Sequence, residues 1–255
     1  MIRYNLSEFD EIVEKIGISH GDCLFIHSSI LSFGLPADVA VSQLPEKIFD
    51  VLQKRIGEKG TIVVPAFNFD FCNGAPYDRQ NTPSKNMGVF SEYIRKLPEA
   101  KRSSHPMQSI AAIGKLAEYF TENDTSSAFD PDGAFDRLIK TDAKTLLLGA
   151  DFSYNSAFHL AEQKAAVPYR YWKNFEGPYS DNSTETTRIY RMFVRDLNQD
   201  LQLDFSQIEE HLLKNNQLKK EQLGQGFIQL YRLKDFMKFV NAELQKDPYV
   251  FIKKD

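Results

Sequence analysis

The sequence holds only two cysteines, Cys23 and Cys72, too few for a disulfide framework, and both lie in apolar surroundings that suit reduced thiols. It lacks an excess of basic residues. A net charge of −4 excludes the broad cationic footprint with which proteins neutralise nucleic-acid phosphates. It has no long hydrophobic run, so no membrane span is expected. The first residues, MIRYNLSEFDEIVEKIGI, have neither the continuous apolar core nor the small-residue cleavage site of a secretory signal. A cytoplasmic protein is therefore expected, with no nucleic-acid and no membrane partner. Phosphate-binding P-loops, GxGxxG after a strand and GxSxG elbows are also missing, which disfavours nucleotide hydrolysis and α/β-hydrolase chemistry.

What is present is an ordinary globular composition, 42% hydrophobic and 26% charged over 255 residues, enough for a sizeable core. Helical periodicity marks Leu6 to Ile16 with Ser7 as N-cap, Pro45 to Ile56, Gly88 to Leu97, the stretch AFHLAEQKAAV, Phe205 to Leu213 and Leu233 to Leu244. Short continuous apolar runs alternate with them: Cys23 to His27, TIVVPAF, SIAAIG and TLLLGA. FIQLYRL and the alternating TTRIYRMFVRD complete the strands. Such runs between helices predict an α/β fold, a three-layer α/β/α sandwich around a largely parallel central sheet. One domain over 1–255 is expected, with 181–255 as a lid or edge subregion.

Ligands of such folds bind beyond the carboxyl ends of the strands. Polar residues collect there: His27, Ser28 and Ser29 after the first run, Asp70 after TIVVPAF, Asp151 after TLLLGA. Three stretches could carry chemistry. KRSSHPMQS puts Arg102, Ser103 and Ser109 in one segment, and a guanidinium among hydroxyls can grip phosphate; a polar loop with Arg102 in a salt bridge fits the same residues. In AFHLAEQKA, His159 and Glu162 share one helix face, where the carboxylate can fix the imidazole as a general base; a solvated i,i+3 pair has the same spacing. A metal set of His27, His105, His159 and Glu162 has no tight ligand spacing to support it, so no metal is expected. VPYRYWKNFEGPY places Tyr169, Arg170 and Lys173 in an aromatic, basic loop that could form an acceptor pocket or simply anchor on the sheet.

In order, GDCLFIHSSILSFG, GTIVVPAFNFDF, NTPSKNMGVFSEYIRKLPEAKRSSHPMQSIAAIGKLA, TLLLGA, AFHLAEQKA and the closing LGQGFIQLYRLKDFMKFVNAELQKDP resemble the aminoglycoside 3-N-acetyltransferase-like (antibiotic acetyltransferase) family. The resemblance implies the α/β/α sandwich, acetyl-CoA as cofactor and a small-molecule amine as partner, and leaves a homodimer open. It implies His159 and Glu162 as the catalytic pair, and Ser28, Ser29, Arg102, Ser103 and Ser109 along the coenzyme A site, with His27 buttressing the turn. DPDGAFDRL departs from the Gly-Ser-Pro-like segment of drug-modifying members. Because Arg170 and Lys173 would repel a polycation, the acceptor expected is a nucleotide-linked amino sugar bound by Asp70, Tyr169, Arg170 and Lys173. The alternatives are an aminoglycoside 3-N-acetyltransferase conferring antibiotic resistance, a metal-dependent hydrolase, and a coenzyme A-binding protein without catalysis.

Overall fold

Three of the apolar runs lie side by side in the computed structural model, which describes residues 3–253. The first half of the chain runs through β1 (Arg3–Tyr4), α1 (Leu6–Lys15), β2 (Cys23–Ser28), β3 (Leu35–Pro36), α2 (Leu44–Ile56), β4 (Thr61–Pro65), β5 (Tyr77–Asp78), α3 (Gly88–Lys96), β6 (Lys101–Arg102), β7 (Ile110–Gly114) and α4 (Ala117–Thr121). The second half adds α5 (Ala134–Lys140), β8 (Lys144–Leu148), α6 (Phe158–Ala165), β9 (Arg170–Asp181), β10 (Thr184–Arg195), α7 (Ser206–Lys214), β11 (Leu218–Leu223), β12 (Gly226–Arg232) and α8 (Leu233–Lys246).

The large sheet has the order β11-β12-β8-β2-β4-β7-β6. Its middle strands β8, β2 and β4 pair in parallel, Phe25 standing opposite both Val63 and Thr145, and the outer strands join antiparallel. Side chains of β2 alternate between faces. Leu24 and Ile26 enter one core with Phe9, Ile48, Leu52 and Phe90 of α1, α2 and α3. Phe25 enters the other with Phe135, Phe158, Leu212 and Phe236 of α5 to α8. Two helical layers thus cover one sheet, the α/β/α sandwich expected. The link from β2 to β4 uses α2 on one face, and the link into β8 uses α5 on the other. The chain therefore leaves the sheet in opposite directions around β2, where α/β folds open a crevice.

Two details differ from the sequence reading. Asn5, not Ser7, is the N-cap of α1, and the first amide of the helix, Leu6, is met instead by the Asp38 carboxylate at 3.1 and 3.2 Å. The stretch after Asp181, expected as a lid or edge, divides. β10 joins a small sheet of order β10-β9-β5, whereas β12 lies inside the large sheet and α8 packs on α6.

Candidate active site

Glycine sets how closely the turns approach the strand end. Gly88 opens α3 at φ +83°, and a Cβ there would lie 2.7 Å from the Ser28 carbonyl oxygen. Gly149 follows β8 at φ +65°, where a Cβ would lie 2.6 Å from the Ser29 carbonyl oxygen. Neither position accepts a side chain without moving backbone. Beyond these turns a cleft of about 400 Å³ opens at the carboxyl ends of β2 and β4, lined among others by His27, Ser28, Phe67, Met87, Ser156 and His159.

His159 stands near the start of α6, its side chain 35% exposed, while Glu162 one turn later is fully buried. Their Nδ1 and Oε2 atoms are 2.6 Å apart. A carboxylate at that distance holds the proton on Nδ1, so Nε2 is the nitrogen left to accept one. Burial alone would push the Glu162 carboxyl up; the hydrogen bond from His159 and the charges of His159 and Arg170 outweigh it and hold the group below the usual carboxylate range. Arg170, the first residue of β9, places Nε 2.9 Å from the same Oε2, an ion-pair contact off-line for a hydrogen bond. Its Nη1 donates to the Phe193 carbonyl oxygen at 3.1 Å.

The cleft also holds polar atoms with no protein partner: Ser28 Oγ, Ser156 Oγ and His27 Nε2. Burial lowers His27 to about 3, so the ring is neutral at physiological pH. These three buried groups lie in residues of the cleft wall whose polar atoms the fold itself leaves without a partner. Ser156 was not singled out from the sequence, although it lies three residues before His159.

The other sequence candidates have different surroundings. The Arg102 guanidinium is buried and committed to the carbonyl oxygens of Ala66 and Thr82 and, at 3.0 Å, to Ser109 Oγ. Ser109 Oγ itself donates to the Ala66 carbonyl at 2.7 Å, and Ser103 Oγ accepts from the Ile110 amide at 2.9 Å. Arg102 and Ser109 brace the loop from within with their donors committed to protein oxygens, and Ser103 is buried beside them. A larger cleft, about 690 Å³, lies along this brace with Arg79, Arg95 and Arg102 in its wall, but their donors are likewise directed at backbone carbonyls and carboxylates, and Glu118 in its lining pairs with Lys101. The Ser29 amide donates to the Leu148 carbonyl at 2.8 Å. Asp70 pairs with Lys85 on the surface. Tyr169 is buried behind the pair, where burial and then the Glu162 charge push its hydroxyl up, so it is not a pocket-lining residue. Lys173 is exposed, with its ammonium over the Phe175 ring. His105 is buried too, its Nδ1 accepting from the Gln108 amide at 3.1 Å and its Nε2 3.3 Å from the Arg191 carbonyl. Among the described residues no three His, Cys, Asp or Glu side chains are grouped to hold a metal ion. Burial and the Asp22 charge push the Cys23 thiol up to about 12, so it is no thiolate nucleophile.

Replacing Arg102 with alanine should therefore lower stability by roughly 1.5–3 kcal/mol, the value of charge-assisted hydrogen bonds, and leave coenzyme A affinity intact. Thermal melting beside calorimetric titration checks this; a weakened affinity at unchanged stability would return Arg102 to the cofactor.

The family model for aminoglycoside 3-N-acetyltransferase matches residues 25–245. The chain belongs to this family. Aminoglycoside N(3)-acetyltransferase IV from Salmonella is 28% identical over 241 residues, covering 93% of this chain and 86% of the relative. Aminoglycoside N(3)-acetyltransferase III from Salmonella is 30% identical over 187 residues, covering 66% of this chain and 63% of the relative, so this chain spans less than two thirds of that enzyme. The crystal structure of the apo aminoglycoside acetyltransferase AAC(3)-IVa superposes with a TM-score of 0.78 at 25% identity, covering 99% of this chain and 92% of the other. AAC-IIIb, solved in a binary complex with CoASH, shares the fold at a TM-score of 0.82 and 22% identity, covering 96% of this chain and 97% of the other. Among the described residues no helix is long and apolar enough to cross a membrane.

Proposed function

We propose that this chain is an acetyl-CoA-dependent N-acetyltransferase that acts on an amine of an aminoglycoside, by direct transfer, with His159 as general base and Glu162 as its orienting partner. The observation that carries this is the 2.6 Å contact between His159 and a fully buried Glu162 at the edge of a strand-end cleft, in a chain of this family. Acetyl-CoA supplies the activated acyl group. The polar atoms of Ser28, Ser156 and His27 suit its thioester end, and Phe67 and Met87 suit an apolar arm. As the amine nitrogen bonds to the acyl carbon, its proton passes to His159 Nε2; the carbon–sulfur bond breaks, and the thiolate leaves with the electron pair and takes that proton from Nε2, which frees the base again. No covalent enzyme intermediate is needed.

The structure weakens the case for a nucleotide-linked acceptor. That case rests on Arg170 and Lys173 as phosphate ligands, and Arg170 is turned inward onto Glu162. The family's naming and a structure of the same AAC(3)-IVa enzyme, in a histidine-to-alanine form holding a gentamicin, favour the aminoglycoside. A thiol-release assay with acetyl-CoA against aminoglycosides and nucleotide-linked amino sugars decides between them. Fast release with at least one aminoglycoside is expected; release with nucleotide sugars alone would overturn the choice of acceptor, and release with neither would overturn the activity.

A further inference from the structure

We propose that Arg170 is a positioning residue of this reaction, whose fixed charge lies against both Glu162 and His159 and opposes protonation of the ring until the amine delivers its proton. The inference rests on His159 being the base, and it assigns Arg170 a task unrelated to acceptor binding. The side chain is only 11% exposed, which leaves it little contact with anything in the cleft.

The argument begins with what a His–Glu pair does unaided. A buried carboxylate in contact with an imidazole favours the imidazolium, and an opposite charge within about 4–6 Å raises the ring's proton affinity by about 1–3 pH units. A ring that already carries its proton at neutral pH cannot take one from an amine. The same contact that orients His159 therefore threatens to occupy it. Arg170 lies where it can oppose this. Its Nη2 is 3.2 Å from His159 Nδ1, and its Nε is 2.9 Å from Glu162 Oε2. The guanidinium touches both members of the pair. Protonating the ring would set two cations against each other across 3.2 Å, so the fixed cation penalises the imidazolium while leaving the carboxylate ionised as an acceptor for Nδ1–H.

The remaining neighbours do not supply this charge. Tyr169, from the turn between α6 and β9, presents a neutral hydroxyl near Glu162. Phe129, from the loop before α5, meets the ring with an apolar edge at 6.2 Å between centroids. Asp130 beside it is occupied by Arg191, the Ser127 amide and Gln163. His27, in the cleft wall, is neutral. The guanidinium is itself fixed by the Phe193 carbonyl of β10, so its charge stays in place through the reaction.

The test compares Arg170→Gln and Arg170→Met, which keep a stem and remove the charge, with Arg170→Lys, which keeps the charge. Two neutral replacements of different polarity guard against one that does not fold. Each variant is read twice: by the pH dependence of kcat, and by NMR titration of the His159 ring in the enzyme without substrate. The neutral variants should shift the acidic limb of the profile and the ring titration together to higher pH, by roughly one unit or more, lose about tenfold in kcat at pH 7, and regain much of it at higher pH. Arg170→Lys should stay close to the parent in both readouts. A uniform loss at every pH with an unmoved ring titration would show that Arg170 is only a structural brace and overturn the proposal. Because the titration needs no turnover, it also separates the two readings. A normal kcat in His159→Ala would remove the base assignment, whereas an essential His159 whose titration ignores Arg170 would remove this inference alone.

Discussion

A His159→Ala enzyme is expected to lose roughly 10²–10⁴-fold in kcat while keeping its fold and its affinity for acetyl-CoA. The size follows from the task. An amine that attacks a thioester must shed a proton, and without a positioned acceptor it does so only through solvent. The fold should tolerate the change because the ring is partly exposed and its aromatic contacts with Phe129 and Phe158 are T-shaped, at 6.2 and 6.3 Å between centroids. Steady-state kinetics beside thermal melting gives the answer. A well-folded variant with near-parental kcat would show that the proton leaves by another route.

Glu162→Ala should behave differently, losing both turnover and stability. Its carboxylate is the counter-charge of a largely buried guanidinium. Removing one partner of such a pair leaves the other uncompensated, at a cost of roughly 3–5 kcal/mol. For a chain of this size that corresponds to a melting temperature lower by on the order of 10 °C. The contrast with His159→Ala is the informative part, since one variant isolates the chemistry and the other takes away the partner of both the His159 ring and the Arg170 guanidinium. A melting temperature within a degree or two of the parent would mean that water reaches Arg170 and that the pair is weaker than its burial implies.

The central strands were legible because a strand buried on both faces needs apolar residues at every position, which gives unbroken runs such as TLLL and LFI. The His–Glu pair was legible for an equally local reason: three residues along a helix bring two side chains onto one face. The partners of Arg102 were not legible, because they are carbonyls of Ala66 and Thr82, brought to it by the tertiary fold and invisible in the spacing of KRSSHP. The stretch from Tyr169 to Tyr179 reads as a loop because Gly177 and Pro178 look like breakers, yet Arg170–Asp181 is a continuous strand, its Trp172 opposite Phe193 and Pro178 opposite Thr187. β-Propensity of the aromatics outweighed the breakers once β10 supplied a partner. That error also reversed the direction of Arg170. As the first residue of β9, it sets its guanidinium against Glu162 and His159.

The insertion of β12 between β8 and β11 has a consequence for how the protein is made. A ribosome delivers the chain from its amino end, so β2, β4, β8 and α6 are synthesised well before β12 and α8. During that interval Thr145 to Leu148 form a sheet edge with bare amides and carbonyls, and α6, which carries His159 and Glu162, has no α8 beneath it. An apolar edge of this kind invites pairing with another chain. The His159–Glu162 pair is thus translated early but mounted late, and the nascent chain is most prone to misassociation between the emergence of α6 and that of β12.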